Sequence, residues 1–129
     1  MKRWSVLLLL VVACSKDGDK PASTSPRDAV LEAWKAAKLV PAAPPVPAPA
    51  TVTFGKDCQS ATIEGLELLI CNFATPAEAK AAEDPGLGWV GAATGASQAH
   101  GAALIVVADR KKADPSGRTI NRLMKLAPN

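Results

Sequence analysis

Cys58 and Cys71 stand at the outer ends of two β-prone runs, CQSATI and LELLIC, that flank a single Glu64-Gly65 pair. With Glu64 and Gly65 as a two-residue hairpin loop, Ile63 faces Leu66, and the pairing runs outward until Cys58 faces Cys71. Pairs counted from the loop alternate between hydrogen-bonded and non-hydrogen-bonded. The cysteines fall at a non-hydrogen-bonded pair, where Cα atoms lie about 4.5 Å apart, at the short end of what a disulfide spans. The same register sorts the side chains. Ala61, Ile63, Leu66, Leu68 and Ile70 share one face, and Ser60, Thr62 and Glu67 share the other with the cysteines. The apolar face needs helices to cover it. A redox-active pair is more often Cys-x-x-Cys beside a helix N-terminus, so this pair is expected to be a staple, contributing roughly 3 kcal/mol by closing its loop.

Whether the bond forms depends on the compartment, which the first fourteen residues address. Lys2 and Arg3 precede an apolar core from Val6 to Val12, and small Ala13 precedes Cys14. Those are the charged, apolar and cleavage regions of a secretory signal. The core is too short for a transmembrane helix, which needs roughly 20 apolar residues. In its order of charge, short core and Val11-Val12-Ala13-Cys14, the segment resembles the lipobox of bacterial lipoproteins. The resemblance implies that residues 1–13 are a signal peptide and that Cys14 becomes the acylated N-terminus. It implies a membrane partner reached through those acyl chains, each buried CH₂ contributing about 0.8 kcal/mol. Ser15 in place of Asp after the cysteine further implies the outer membrane, with the protein facing the periplasm. Export favours the Cys58–Cys71 disulfide, and acylation leaves Cys14 out of any pairing.

Removal of the signal also changes the charge. The full chain has 15 Lys+Arg against 12 Asp+Glu; without Lys2 and Arg3 the balance is 13 against 12 in the remaining 116 residues. A nucleic-acid binder concentrates more positive charge than this, so no nucleic-acid partner is expected. The length suits one domain. With no Tyr in the chain, the core must come mainly from Leu, Ile, Val and Ala.

Residues 14–25 are polar, with no apolar periodicity, and form a flexible tether. Ser25-Pro26-Arg27-Asp28 has the form of a helix start, with Ser as cap and Pro at the first helical position. Val30, Leu31, Trp34 and Ala37 mark one face of an amphipathic helix over 26–40. Five prolines in residues 41–50 predict a semi-rigid polyproline spacer. Residues 51–129 then form the small domain. Thr51-Val52-Thr53-Phe54 is a short β-prone run ahead of the hairpin. Thr75-Pro76-Ala77-Glu78 is a capping box that opens an Ala-rich helix ending before Pro85. Gly86, Gly88 and Gly91 match G-x-G-x-x-G, but the dinucleotide fingerprint needs a strand before it, and here a helix precedes it. Those glycines are expected to turn the chain while Trp89 buries itself. Residues 94–101 are expected to be loop or weak helix, Ala103-Leu-Ile-Val-Val-Ala108 a buried strand, and Ile120, Leu123, Met124 and Ala127 the stripe of a last helix. The fold class is α+β: a three- or four-stranded antiparallel or mixed sheet with two or three helices on one face and one cross-strand disulfide.

No metal-ligand spacing, nucleophile elbow or cofactor motif is present. His100 is the only histidine, with no acid close in sequence. Asp109 follows the buried strand, and Asp114 precedes the last helix. The expectation is therefore a non-catalytic interaction or structural module of the cell envelope, tethered to the membrane and not an enzyme. The alternative is a ligand-binding domain or enzyme using His100 and Asp109. Arg110, Lys111, Lys112, Arg118, Arg122 and Lys125 stand against Asp109 and Asp114 in one short stretch. That stretch is the candidate contact patch for an anionic surface or an envelope protein.

Overall fold

The computed structural model describes residues 24–129. Cys14, the 1–13 signal segment and nearly all of the 14–25 tether lie outside them.

Glu64 (φ 51°) and Gly65 (φ 81°) both occupy the left-handed region, as the tightest hairpin turn requires. The strands they join, β2 (Asp57–Ile63) and β3 (Leu66–Asn72), pair with Ile63 opposite Leu66 and Cys58 opposite Cys71. The cysteines are bonded across a Cα separation of 4.0 Å. One two-residue loop thus sets both the side-chain faces and the disulfide.

The sheet has five strands, not three or four. Its order is β1-β2-β3-β5-β4, antiparallel throughout, with β1 Val46–Pro47, β4 Thr94–His100 and β5 Ala103–Asp109. Both additional strands come from segments whose local preference is weak. The proline-rich segment expected as a spacer is laid along β2. Ala42 N–H donates to Thr62 O (2.8 Å), Ala48 N–H donates to Cys58 O (3.0 Å), and Val46 and Pro47 sit opposite Ser60 and Gln59. Proline fits an edge because its missing donor would face solvent, and it blocks the edge against further pairing. At the other edge, residues 94–100 are a strand although Thr-Gly-Ala-Ser-Gln-Ala-His lacks β propensity. The Gly101-Ala102 turn, with Gly101 at φ 59°, folds them back on the apolar β5. The 51–54 run is not a strand; Val52 is buried there against the disulfide end of the sheet.

Helices cover both faces rather than one. On the first face lie α1 (Pro26–Ala36) and α4 (Arg118–Leu126), enclosing Val30, Trp34, Leu39, Ile63, Leu68, Ile70, Ile105, Val107 and Leu123. The Ser25 hydroxyl accepts Asp28 N–H at 3.1 Å to open α1. Lys38, at φ 69°, closes it early: its N–H reaches Lys35 O and Leu39 N–H reaches Trp34 O, the two bonds of a Schellman cap. Leu39 then turns back into the core beside Trp34. α1 therefore docks on the sheet as part of the same unit.

The second face carries α2 (Pro76–Ala81) and α3 (Glu83–Val90), over Leu69, Leu104, Val106 and Ala108. Thr75 caps α2 by accepting Glu78 N–H at 3.2 Å, as its capping box predicts. α2 ends at Ala81, ahead of Pro85 as expected, but Pro85 and the glycines after it belong to a second helix and not to a turn. Pro85 falls in the first turn of α3, where a backbone N–H has no intrahelical acceptor to lose, so Gly86 and Gly88 are helical. Gly86 is buried, and a Cβ there would run into Ser97 Oγ and approach Val106 Cγ2 to 3.0 Å. Glycine thus sets how closely α3 approaches β4 and β5.

Candidate functional site

On the second face, α2 and α3 cover β4, β5 and part of β3, and residues 48–54 cover the disulfide end. The tip of the β2–β3 hairpin is left bare. An open groove of about 670 Å³ runs over it. Ser60, Thr62, Glu67 and Leu69 form its floor, Pro44, Val46 and Pro49 one wall, and Trp89, Arg110 and Lys111 the other. Val46 at the lip is 54% exposed, and Leu87, on α3 but outside the groove lining, is 47% exposed. These are two of the four large apolar side chains that stand out of the described surface.

The aromatic wall is held in place. Arg110 Nε donates to Glu67 Oε1 at 3.0 Å, Nη1 to Val90 O at 3.1 Å and Nη2 to Trp89 O at 2.9 Å. Its guanidinium carbon lies 4.7 Å from the Trp89 ring centroid, within cation–π range. One planar fork therefore fixes the end of α3, the indole and the sheet floor together. The sequence pattern makes Arg110 the first cation of the contact patch. The structure instead places it inside this joint, paired with Glu67.

Asp109 and Asp114 serve the backbone. Asp109 accepts Ala113 N–H (2.7 Å) and Asp114 N–H (2.8 Å). Asp114 accepts Thr119 N–H (3.1 Å) and Ile120 N–H (2.9 Å), capping the first turn of α4. Asp109 is therefore fastened to the loop that starts this helix and does not pair with Arg110. His100 sits on the first face, 8% exposed, and among the described residues neither ring nitrogen has a partner at good hydrogen-bond geometry. Burial lowers its pKa, with Asn129 and Glu83 opposing more weakly. His100 pairs with Ala103, and Asp109 with Thr94, so the two lie at opposite ends of the β4–β5 ladder. Six residues of strand put about 20 Å between them, and the structure does not bring them together.

The other patch residues divide into two groups. Lys111 and Lys112 lie in the loop after β5. Arg118, Arg122 and Lys125 form the solvent stripe of α4, and Arg122 Nη2 also donates to Ala37 O at 3.1 Å.

A closed polar network ties α1 to the hairpin. Arg27 N–H donates to Asn72 Oδ1 (2.7 Å), Arg27 Nη1 to Asp57 Oδ1 (2.9 Å), and Asn72 Nδ2 to Asp57 Oδ2 (2.9 Å). The Asn72 and Arg27 bonds hold the Asp57 carboxyl below its ordinary pKa. Glu83 is likewise lowered, chiefly by accepting Ala99 N–H at 2.8 Å on the open side of β4.

Sequence reasoning missed the groove because its walls come from segments far apart in the chain. Trp89 was the one visible signal, a large aromatic set among glycines. No family model, curated protein or solved structure matches the chain.

Proposed function

We propose that the protein is a lipid-anchored, non-catalytic interaction module of the bacterial cell envelope, and that its groove receives an apolar segment of an envelope protein. The groove carries this reading. It combines exposed Val46 with a Trp89 wall already fixed by Arg110, and preorganised aromatic surface lowers the ordering cost of binding. Lys111 at its end suits a partner segment that carries an acidic residue. The anchor rests on the lipobox-like Val11-Val12-Ala13-Cys14, and Ser15 after the cysteine supports outer-membrane attachment facing the periplasm. No helix among the described residues is long and apolar enough to cross a membrane. The separation of His100 from Asp109, and the backbone role of Asp109, weigh against the alternative of an enzyme or ligand site using that pair.

Two experiments test the reading. Cys14→Ser should leave an unprocessed precursor or release the protein from the membrane fraction; an unmodified Cys14 in wild-type protein by mass spectrometry would end the anchor assignment. For the groove, a photo-crosslinking residue at Val46 should capture a discrete envelope protein in cells. The same probe at Ala81, on α2, should not. Equal capture from both positions, or none from Val46, would count against a groove partner.

A further inference from the structure

We infer that the outer surface of α1 and α4 lies against anionic lipid headgroups of the bilayer, a docking that rests on the proposed acylation of Cys14. The helices meet where Arg122 donates to Ala37 O and Trp34 Nε1 donates to Leu123 O. That joint places Lys35 and Lys38, at the end of α1, beside the Arg118, Arg122 and Lys125 stripe of α4. The spacings of four and three residues put the α4 cations on one face, opposite the buried Ile120 and Leu123. All five cations are exposed. The ion pairs among the described residues use Arg27, Lys80 and Arg110 instead, so no carboxylate neutralises the five.

The charge is asymmetric across the sheet. The α1–α4 layer exposes these five cations against Asp28 and Glu32, whereas α2 and α3 on the opposite face carry Glu78, Glu83 and Asp84 against Lys80. An anionic plane therefore attracts the α1–α4 face more strongly than the other. The remaining two exposed large apolar side chains, Val40 (55%) and Leu126 (37%), directly follow this cationic surface, at Lys38-Leu39-Val40 and Lys125-Leu126. Cations beside exposed aliphatic groups suit the headgroup region, where charge and apolar surface are both accommodated. Lys38 also takes a left-handed position (φ 69°) that favours glycine, so the cap bears a cation where the backbone alone would not select one. The tether, up to about 35 Å at ~3.5 Å per residue, lets this face reach the surface. The groove on the other face of the sheet would then point away from the membrane.

The test uses the full-length protein isolated from membranes and reconstituted with vesicles. A fluorophore on Asn121→Cys, an uncharged position beside the α4 stripe, reports approach to lipids bearing a headgroup quencher. Ala81→Cys on α2 is the control. Quenching at Asn121 should appear on phosphatidylglycerol-containing vesicles, be weak on pure phosphatidylcholine, and fade from low to physiological salt. Arg118→Gln with Lys125→Gln keeps the Arg122–Ala37 bond and should shift the docked-to-undocked ratio by roughly fivefold per cation removed. Equal quenching on neutral and anionic vesicles, or equal quenching at both labels, overturns the docking. So does an Asn121 label that stays unquenched on phosphatidylglycerol-containing vesicles at low salt. Flotation on phosphatidylcholine vesicles separately reports the anchor. If it fails there, acylation is wrong, and the anionic-vesicle response still decides the face.

Discussion

Trp34 Nε1 donates to the carbonyl oxygen of Leu123 at 2.8 Å, a buried bond between helices separated by the whole sheet-forming part of the chain. Trp34 is fully buried, so the contact joins α1 to α4 by packing and by satisfaction of a polar group.

Trp34→Phe should therefore cost about 2–4 kcal/mol, from a partial cavity and an unpartnered Leu123 carbonyl. Urea unfolding should show a lower midpoint with an unchanged slope. A loss below about 0.5 kcal/mol would mean that α1 does not depend on this joint.

The hairpin was legible because one short-range constraint fixed many positions. Two residues of loop set the pairing from Ile63–Leu66 outward to Cys58–Cys71, as the structure shows. The caps at Ser25 and Thr75 were legible for the same local reason. What was not legible depended on partners. The 94–100 segment is a strand because β5 is beside it, and 42–48 is an edge because β2 offers the Thr62 and Cys58 carbonyls. The helix over 83–90 shows the same limit from the other side. Pro85 and the glycines looked like a break, yet a first-turn proline and a close-packed glycine are compatible with a helix against a sheet. The basic patch was visible as a run of residues. Its division between the Arg110 joint, the 111–112 loop and an α4 surface extended by Lys35 and Lys38 was not.

The glycines of α3 predict opposite outcomes. Gly86→Ala should destabilise by about 1–3 kcal/mol, because its methyl group has no room beside Ser97 and Val106. At Gly88 nothing lies within 4 Å of an added Cβ, so Gly88→Ala should stabilise by about 0.5–1 kcal/mol through helix propensity. Thermal melts of both variants check the pair. Equal shifts would refute the close approach of α3 to the sheet.

Removing the disulfide should lower stability by roughly 3 kcal/mol while leaving the hairpin register intact. A Cys58→Ser, Cys71→Ser double variant measured by denaturant unfolding gives the magnitude, and amide exchange protection at Leu69 and Ile70 reports the register. Two free thiols in wild-type protein kept from reductants would contradict the bond.

Acid should weaken the fold in two stages. His100 has its pKa lowered by burial, so the unfolded chain binds its proton more readily than the folded chain. The favourable term is complete above the ordinary value near 6.5 and is lost as pH falls below it toward the depressed folded value. Asp57 and Glu83 have lowered carboxyl pKa values. Their contributions are present above the ordinary carboxylate range and are lost as pH falls below about 4. Urea midpoints should decline between pH 7 and 5, and His100→Gln should flatten that segment only. An unchanged slope in the variant would remove His100 as the cause.

Arg110→Lys tests whether the Trp89 wall is held by geometry or by charge alone. A lysine keeps the positive charge, but its three donors radiate from one nitrogen, so it does not reproduce the spaced, coplanar bonds to Glu67, Val90 O and Trp89 O or lay a planar group over the indole. The wild-type fork makes those three bonds at 2.9–3.1 Å, and the side chain is partly exposed, so the loss in stability should be only about 1–2 kcal/mol. The effect on the groove should be larger than on the fold. Trp89 should become more mobile, with greater accessibility of its fluorescence to a soluble quencher in a background where Trp34 stays protected. Crosslinking from Val46 should fall although every lining side chain except Arg110 is unchanged. Full crosslinking with a mobile Trp89 would show that the groove does not need a fixed aromatic wall.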